Sequence, residues 1–236
     1  MKKLFIKNYG CQMNVHDATR MAQLLHDALG YATIDAPDEA DLIILNTCHI
    51  REKAAEKLFS ELGRLRKMVL SRDAIFAVGG CVGQAEGDNV FKRAPFVRLV
   101  FGPQNYHRLP EMLDRLERQG GRLGDYEESV DAKFDTLPAI TAPGAIASVV
   151  VQEGCDRFCT YCVVPFTRGR EWSRPVEAIL EEAAGLLQRG AREIQLLGQN
   201  VNAYQGVDRE GVSHDLALLI GQVALLPGLE RIRFVT

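Results

Sequence analysis

The chain has 236 residues and a formal net charge of −3, with 47% hydrophobic and 25% charged residues. These proportions are typical of a globular protein that buries a core, and the slightly acidic balance does not indicate the basic surface that most nucleic-acid-binding domains carry. No apolar run approaches the roughly 20 residues of a membrane-spanning helix, and the first residues show no signal peptide. We therefore expect a cytoplasmic protein without membrane spans, in a reducing compartment where cysteines bind metals or act in catalysis more often than they form disulfides.

In the first half of the chain, apolar strands alternate with helical patterns. The strands are predicted at residues 3–11, 40–48, 74–81 and 96–102, and the helices at residues 14–29, 50–68 and 107–119. Asn14 is the expected N-cap of the first helix, and Gly30 is its expected end. This β-α order predicts an α/β fold, with an open parallel sheet and flanking helices, for a domain of residues 1–119.

Three cysteines, Cys11, Cys48 and Cys81, follow three different predicted strands. The carboxyl ends of parallel strands lie at one edge of a sheet, where ligands bind in open α/β folds. Cysteine is also a common core residue, so three unrelated buried side chains are the alternative. Because two of the three stand in Gly-Cys turns, where core packing is poor, we expect a shared metal site.

Residues 120–144 contain Gly, Pro, Asp and Glu with weak periodicity, which predicts a linker. The β-α order then resumes over residues 145–236, with strands predicted at 145–152, 193–198 and 231–235 and helices at 176–189 and 215–226. We interpret this half as the first part of a (β/α) barrel, whose active-site face is formed by the loops after the strands. A cysteine-containing loop follows its first strand.

That loop holds Cys155, Cys159 and Cys162 in the spacing C-x3-C-x2-C. A structural zinc site needs four ligands, and no histidine lies nearby in sequence. A 4Fe–4S cluster normally binds four thiolates, so three thiolates leave one iron with an open position that can bind a small molecule. The first half of the chain also provides three cysteines, so the six divide into two sets of three.

The spacing C-x3-C-x2-C, with Tyr161 directly before the last cysteine, resembles the cluster motif of radical S-adenosylmethionine (SAM) enzymes. Five segments in the correct order are similar to those of the MiaB-type tRNA methylthiotransferases: "YGCQMN", "NTCHIREKAAEKLF", "GGCVGQ", "GCDRFCTYCVVPFTRGRE" and "LLGQNVNAY". The resemblance covers nearly the whole chain. It implies an N-terminal methylthiotransferase domain over residues 1–119 and part of a radical SAM domain over residues 145–236.

The resemblance implies two 4Fe–4S clusters, an auxiliary one on Cys11, Cys48 and Cys81 and a SAM-cleaving one on the C-x3-C-x2-C cysteines. The implied reaction adds a methylthio group to carbon 2 of N6-isopentenyladenosine beside the anticodon of tRNA. One SAM provides the methyl group, and the radical from a second SAM removes hydrogen from that carbon. Because this C–H bond has no acidic proton, we expect no acid–base pair. An external electron donor such as flavodoxin or ferredoxin is implied, and we expect a monomer.

Related branches provide alternatives. One branch modifies an aspartate of a ribosomal protein and typically has "GCPKN" where this chain has "GCQMN", and another modifies threonylcarbamoyl-adenosine in tRNA. The combination of "GCQMN" and "VVPFTRGRE" favours the isopentenyladenosine branch. Members of the family are longer and carry an RNA-binding β domain, so we expect this chain to be a fragment or a truncated reading frame. An inactive iron–sulfur protein is the corresponding alternative.

Further polar and aromatic residues are weaker candidates. We expect Tyr161, Gln199 and Asn200 to contact SAM, with turn formation as the alternative for the two amides. The expected contacts to tRNA phosphates come from Arg168, Arg170 and Arg174, with ion pairs to Glu171 and Glu177 as the alternative. Other residues with possible roles are Asn202 near SAM or the base, Trp172 as a stacking or packing residue, His49 as a ligand or helix-start residue, and Arg51, Glu52 and Lys53 in a solvated helical turn.

Overall fold

Two units follow each other along the chain, Met1–Pro138 and Ala139–Thr236. The computed structural model describes residues 1–49, 54–70, 73–126 and 131–235. The predicted helical turn at Arg51, Glu52 and Lys53 therefore lies outside the described residues.

The first unit is built on a parallel sheet of six described strands in the order β2-β1-β3-β4-β5-β6. The strands are β1 (Lys2–Tyr9), β2 (Tyr31–Thr33), β3 (Leu42–Thr47), β4 (Ile75–Gly80), β5 (Leu99–Phe101) and β6 (Leu123–Asp125). The helices are α1 (Gln12–Leu29), α2 (Ala54–Leu70), α3 (Cys81–Glu86), α4 (Asp88–Arg93), α5 (Leu109–Gln119) and α6 (Asp131–Thr136). The predicted open parallel sheet with flanking helices is confirmed.

Both faces of this sheet are buried, as expected for a parallel sheet covered by helices. In β3, Leu42 and Ile44 face the cluster packed by α1 and α5, whereas Ile43 and Leu45 face the cluster packed by α2. The alternation follows from the two-residue period of a strand. All six residues of β3 are buried, which explains the continuous apolar run at residues 42–45, and the strand ends in the buried polar residues Asn46 and Thr47.

The N-cap of helix α1 lies three residues earlier than predicted. The N-cap is Cys11, and Asn14 occupies the third helical position, so the prediction of Asn14 as N-cap is wrong. The helix ends at Gly30 as predicted, because Gly30 adopts a left-handed conformation with φ of 68° that glycine accepts without steric cost.

The predicted linker at residues 120–144 is corrected by the structure over much of its length. Strand β6 pairs in parallel with β5, and helix α6 follows it within the first unit. The boundary between the units falls between Pro138 and Ala139. A three-residue strand has too few residues for a periodic pattern, so the Gly-rich composition around it indicated a loop.

The second unit contains a parallel sheet in the order β13-β10-β7, formed by β7 (Ile146–Val150), β10 (Glu193–Leu197) and β13 (Arg231–Val235). Its helices are α7 (Val164–Thr167), α8 (Val176–Gln188) and α9 (Leu216–Val223). Helices α8 and α9 bury their apolar sides in one core with β7 and β10. This β-α order agrees with the predicted first part of a (β/α) barrel.

Two short antiparallel pairs in this unit were not predicted. Strands β8 (Gln152–Glu153) and β9 (Trp172–Ser173) pair at the two ends of the cysteine loop, and β11 (Gln205–Val207) pairs with β12 (Ser213–Asp215). The β8–β9 pair closes the base of the cysteine loop. Among the described helices of the chain, none has the length and apolarity to cross a membrane.

Two candidate metal centres

The three N-terminal cysteines follow neighbouring strands at one edge of the first sheet. Tyr9 of β1 pairs with Thr47 of β3, and Thr47 pairs with Gly80 of β4. Cys48 and Cys81 come directly after these paired residues, and Cys11 comes two residues after Tyr9. The strand register therefore places the three cysteine turns at one edge of the sheet. The shared metal site stays a prediction.

Close backbone approach holds these turns against one another. A Cβ atom added to Gly10 would lie 2.5 Å from Cβ of Cys48, and one added to Gly80 would lie 2.4 Å from the carbonyl oxygen of Thr47. Gly80 also has a φ of 84°, which L-residues rarely adopt. Cys48 and Cys81 are buried, whereas Cys11 is exposed. Only glycine fits at these two positions, and this explains the Gly-Cys pattern in the sequence.

All six cysteines are free thiols. In the part of the chain that the structure describes, no three His, Cys, Asp or Glu side chains are grouped to hold a single metal ion. A 4Fe–4S cluster makes a different demand, because each thiolate binds a separate iron atom of the cluster. Three thiols on adjacent turns at one sheet edge are compatible with that demand, and the thiolate chemistry suits iron–sulfur ligation.

The second set of cysteines lies on the loop between β8 and β9. Cys155 is buried at the start of this loop, Cys162 is half-buried and Cys159 is exposed. The Cys155 amide donates to the Gly169 carbonyl at 3.2 Å, and the Cys162 amide donates to the Cys159 carbonyl at 2.9 Å. These bonds give the loop a defined conformation, with the last two cysteines in one tight turn.

Two glutamine side chains attach this loop to the end of β10. The Gln152 side-chain oxygen accepts hydrogen bonds from the amides of Gln199 and Asn200, both at 3.0 Å. Its nitrogen donates to the carbonyl of Gly154 at 2.6 Å. In return, the Gly154 amide donates to the side-chain oxygen of Gln199 at 2.6 Å. The sequence reasoning missed Gln152, and a glutamine at the end of an apolar strand was the signal available to find it.

Arg168 and Arg174 do not have the exposure that a contact to tRNA phosphate requires. Arg168 is 3% exposed and pairs with the fully buried Glu153 at 3.2 Å. Arg174 is 6% exposed, pairs with Glu182 at 2.7 Å and donates to the Val150 carbonyl. The structure therefore corrects the prediction of phosphate contacts for these two residues. Both form buried ion pairs, as in the alternative, but with different glutamates than expected.

Arg170 and Tyr161 remain on the surface of the cysteine loop, and the Tyr161 side chain is 89% exposed. Asn200 is half-buried, and its side-chain nitrogen donates to Glu171 at 3.4 Å. Among the described atoms, the buried side-chain nitrogen of Gln199 has no hydrogen-bond partner. Tyr161 thus lies exposed on the cysteine loop, and Gln199 and Asn200 lie at the end of β10 that is bonded to this loop. Their contact with SAM stays a prediction.

A polar cleft of about 530 Å³ lies next to the same loop. It is lined by Arg157, Glu171, Ser173, Asn202, Ala203 and Gln205. Trp172 of β9, which stands between the lining residues Glu171 and Ser173 in the sequence, is half-buried. His49, in the first unit, is also half-buried. Asn202, which the sequence suggested as a possible contact to SAM or the base, lines this cleft.

The tyrosine of the segment "LLGQNVNAY" has a structural role. Burial raises the pKa of Tyr204 well above its ordinary value, so it remains a neutral hydrogen-bond donor. Its hydroxyl donates to the Arg174 carbonyl at 3.0 Å. A Cβ atom at Gly206 would lie 1.9 Å from the Tyr204 hydroxyl. This contact fixes the loop after β10 against the residue that follows β9.

Two family profiles match the chain. The Uncharacterized protein family UPF0004 matches residues 3–102, and the Radical SAM superfamily matches residues 149–234. The first match contains Cys11, Cys48 and Cys81, and the second contains the C-x3-C-x2-C loop. Each set of three cysteines therefore belongs to its own family domain.

Curated relatives align with the whole chain. Proteins of Magnetococcus marinus (64% identity), Maricaulis maris (54%) and Rickettsia canadensis (52%) are each named tRNA-2-methylthio-N(6)-dimethylallyladenosine synthase. The alignments cover 100% of this chain and 54%, 53% and 54% of the respective relatives. The chain thus spans about half the length of the curated relatives it matches.

Solved structures of a radical S-adenosylmethionine methyltransferase, TsrM from Kitasatospora setae, share the fold. One, with tryptophan substrate and a SAM analogue bound, has a TM-score of 0.56 at 13% identity and covers 86% of this chain and 48% of that one. A second, with cobalamin and a [4Fe-4S] cluster bound, has a TM-score of 0.55 at 14% identity, with the same coverage. Over its whole length, at 52–64% identity, the chain is thus similar to about half of each of these tRNA-2-methylthio-N(6)-dimethylallyladenosine synthases, and it contains matches to the UPF0004 and Radical SAM families.

Proposed function

We propose that this chain is part of an enzyme that adds a methylthio group to carbon 2 of N6-isopentenyladenosine next to the anticodon of tRNA. The observation that carries the proposal is the presence of two separate sets of three free cysteines, each on strand-end turns of its own unit. The names of the three relatives support the same modified nucleoside.

We assign one 4Fe–4S cluster to Cys155, Cys159 and Cys162 and a second, auxiliary cluster to the three N-terminal cysteines. Cys155, Cys159 and Cys162 would hold the first cluster, which would supply a binding position for SAM and the electron for its reductive cleavage. The hydrogen bonds of Gln152 suit this role of the loop. Gln152 fixes the backbone at Gly154 by hydrogen bonds, so the loop that holds the thiolates is ordered.

Residues beside the cysteine loop are assigned to the two substrates. Tyr161, Gln199 and Asn200 are assigned to SAM, because Tyr161 is exposed on the loop, the Gln199 side-chain nitrogen has no acceptor among the described atoms, and Asn200 follows Gln199 at the strand end bonded to the loop. Arg170 is assigned to tRNA phosphate, since it is exposed whereas Arg168 is buried in an ion pair. No side chain is assigned as a general base, because the C–H bond at carbon 2 of adenine has no acidic proton.

The proposed partners are tRNA carrying isopentenyladenosine and an external electron donor such as flavodoxin or ferredoxin. The donor is required because the electron that cleaves SAM must be replaced after each turnover. We further propose that the protein is a monomer and lies in the cytoplasm, since tRNA modification takes place where tRNA is found.

The first test measures metal content. Anaerobically reconstituted protein should hold about eight iron atoms per chain, as two 4Fe–4S clusters. Replacing Cys155, Cys159 and Cys162 with alanine should halve the iron, and replacing the three N-terminal cysteines should do the same. If the second triple variant keeps its full iron content, the auxiliary cluster is refuted.

The second test measures the product. A chimera that joins this chain to the remaining C-terminal part of the Magnetococcus marinus relative is expressed in a strain that lacks its own methylthiotransferase. Mass spectrometry of tRNA nucleosides should then show methylthio-isopentenyladenosine. Cys159→Ala should abolish both 5′-deoxyadenosine and the product, whereas Cys48→Ala should keep some 5′-deoxyadenosine formation without product. Methylthio groups found on threonylcarbamoyl-adenosine instead would move the protein to the sister branch.

A further inference from the structure

Asn14 is a fully buried amide in the first turn of α1, three residues after Cys11. Its side-chain oxygen accepts from the Cys11 amide at 3.3 Å and lies 3.4 Å from the Cys11 sulfur as a hydrogen-bond acceptor. The side chain therefore holds both the backbone and the thiol of the first cysteine turn.

The nitrogen of the same amide reaches the second cysteine turn. It donates to the Thr47 carbonyl at 3.2 Å and to the Asn46 side-chain oxygen at 3.4 Å. Thr47 is the residue directly before Cys48. Since a carboxamide has both donors and acceptors, one side chain links the turns of Cys11 and Cys48, which are 37 positions apart in the sequence.

The third turn is attached to the second by Thr47. The Thr47 hydroxyl donates to the Gly79 carbonyl at 2.8 Å. The Thr47 carbonyl, which accepts from Asn14, also lies 2.4 Å from where a Cβ of Gly80 would be. The turns of Cys48 and Cys81 are thereby held at short range, and Asn14 completes a connection through all three.

We propose that Asn14 is a positioning residue for the N-terminal metal site: it sets the spacing of Cys11 and Cys48 before iron binds. This inference rests on the proposed function, because it takes these cysteines as cluster ligands. Groups around ligands that orient them and bond to them tune both the affinity for metal and its properties. Loss of the amide should leave the fold intact and loosen the relation between the two turns.

The test uses the full chain carrying Cys155→Ala, Cys159→Ala and Cys162→Ala, so that bound iron belongs to the N-terminal cysteines. Asn14→Ala removes the link in this background. Ala18→Gly is the matched control, because it weakens the same helix at a buried position without touching a cysteine turn.

Hydrogen exchange of the metal-free proteins measures the link directly. The Cys48 amide is bonded to the Tyr9 carbonyl at 2.8 Å, so exchange around Cys48 reports on the second turn. Asn14→Ala should speed exchange at Cys11 and Cys48 at least tenfold, whereas Ala18→Gly should leave Cys48 unchanged. Unchanged exchange around Cys48 in Asn14→Ala overturns the link.

Iron release from the reconstituted proteins measures the consequence for the metal site. Transfer of iron to a ferrous chelator should be at least tenfold faster for Asn14→Ala than for Ala18→Gly. Asn14→Asp has the same shape but places a carboxyl group at the Cys11 sulfur, and the midpoint potential of the site should fall, which a purely structural role would not cause. Equal release from Asn14→Ala and Ala18→Gly, or an unchanged potential in Asn14→Asp, overturns the positioning role.

The two proposals fail in different ways. If the parent protein with the three alanines takes up no iron, the auxiliary cluster is refuted, and the metal role of Asn14 falls with it. The exchange measurement still decides whether Asn14 links the turns. If the parent binds iron normally and only the Asn14 variants behave like the control, the cluster stands and the positioning role alone is wrong.

Discussion

Replacing Gln152 with leucine should destabilise the second unit more than any size-matched change on its exposed surface. Gln152 is fully buried and accepts from the amides of Gln199 and Asn200 while donating to the carbonyls of Glu153 and Gly154. Leucine has a similar volume but no polar atoms. The substitution therefore keeps the packing and leaves four backbone groups without their partner.

The magnitude follows from those four bonds. Each contributes about 1 kcal/mol net, and a buried group left without a partner costs about 1–3 kcal/mol. Some of the freed groups will reach water near the exposed part of the loop, and leucine gains apolar burial. We therefore expect a loss of about 3 kcal/mol in the free energy of unfolding. With a urea dependence of about 1–3 kcal/mol per M, the midpoint should fall by about 1–3 M.

The assay is urea unfolding followed by tryptophan fluorescence. Trp172 is the single tryptophan of the chain and lies in β9, paired with β8, so its emission reports on the second unit. Gln195→Leu is the control, since Gln195 lies on β10 and its side chain makes one long contact of 3.5 Å to Ser148. A Gln152→Leu midpoint equal to that of Gln195→Leu would refute the reasoning.

Three further outcomes are expected. Arg168→Met should cost about 3–5 kcal/mol because it removes the guanidinium that pairs with the buried Glu153 carboxylate, and adding Glu153→Gln should recover much of the loss in urea unfolding. The hydrogen bond from Arg64 lowers the pKa of Glu61 from 4.5 to about 2. The resulting stability is present above about pH 4.5 and is lost as the pH falls toward 2. The melting temperature measured by circular dichroism should therefore fall less over this pH range in Glu61→Gln than in the unchanged protein. Phe158 has a φ of 47°, a conformation that glycine adopts more easily than alanine. The free energy of unfolding of Phe158→Gly should therefore exceed that of Phe158→Ala by about 1 kcal/mol, with a higher urea midpoint. Equal midpoints would argue against strain at this position.

The main features of the fold were accessible from the sequence because long buried strands carry a strong pattern. Strand β3 is a run of six buried residues and was placed to within two residues. The three-residue strands β2 and β6 were not predicted, because they are short and, unlike the three-residue strand β5, do not lie within a longer apolar segment. Strand β6 was assigned to a linker for this reason. Its place in the sheet is set by pairing with β5, which is a contact between distant residues.

The cysteines were accessible for a different reason: their spacing and strand-end positions carry chemical information. The arginines of the cysteine loop were not, because sequence does not distinguish an arginine that faces solvent from one that neutralises a buried carboxylate. Arg168 and Arg174 are buried and form ion pairs with Glu153 and Glu182, whereas Arg170 is exposed. Tertiary pairing of this kind decides burial, and local pattern does not record it.

The side chains that link the backbone segments at the two cysteine sites are both carboxamides. Asn14 and Gln152 each bond to backbone donors and acceptors of different segments while adding no charge. If each set of three cysteines binds a cluster as proposed, its thiolates would bring negative charge to the site, and an unpaired buried carboxylate in the same place would add repulsion and a desolvation cost. Glu153, a carboxylate that is buried at the second site, is paired with Arg168. Neutral amides can therefore fix the geometry of the cysteine turns without adding charge, while the carboxylate at the second site is balanced by its own ion pair.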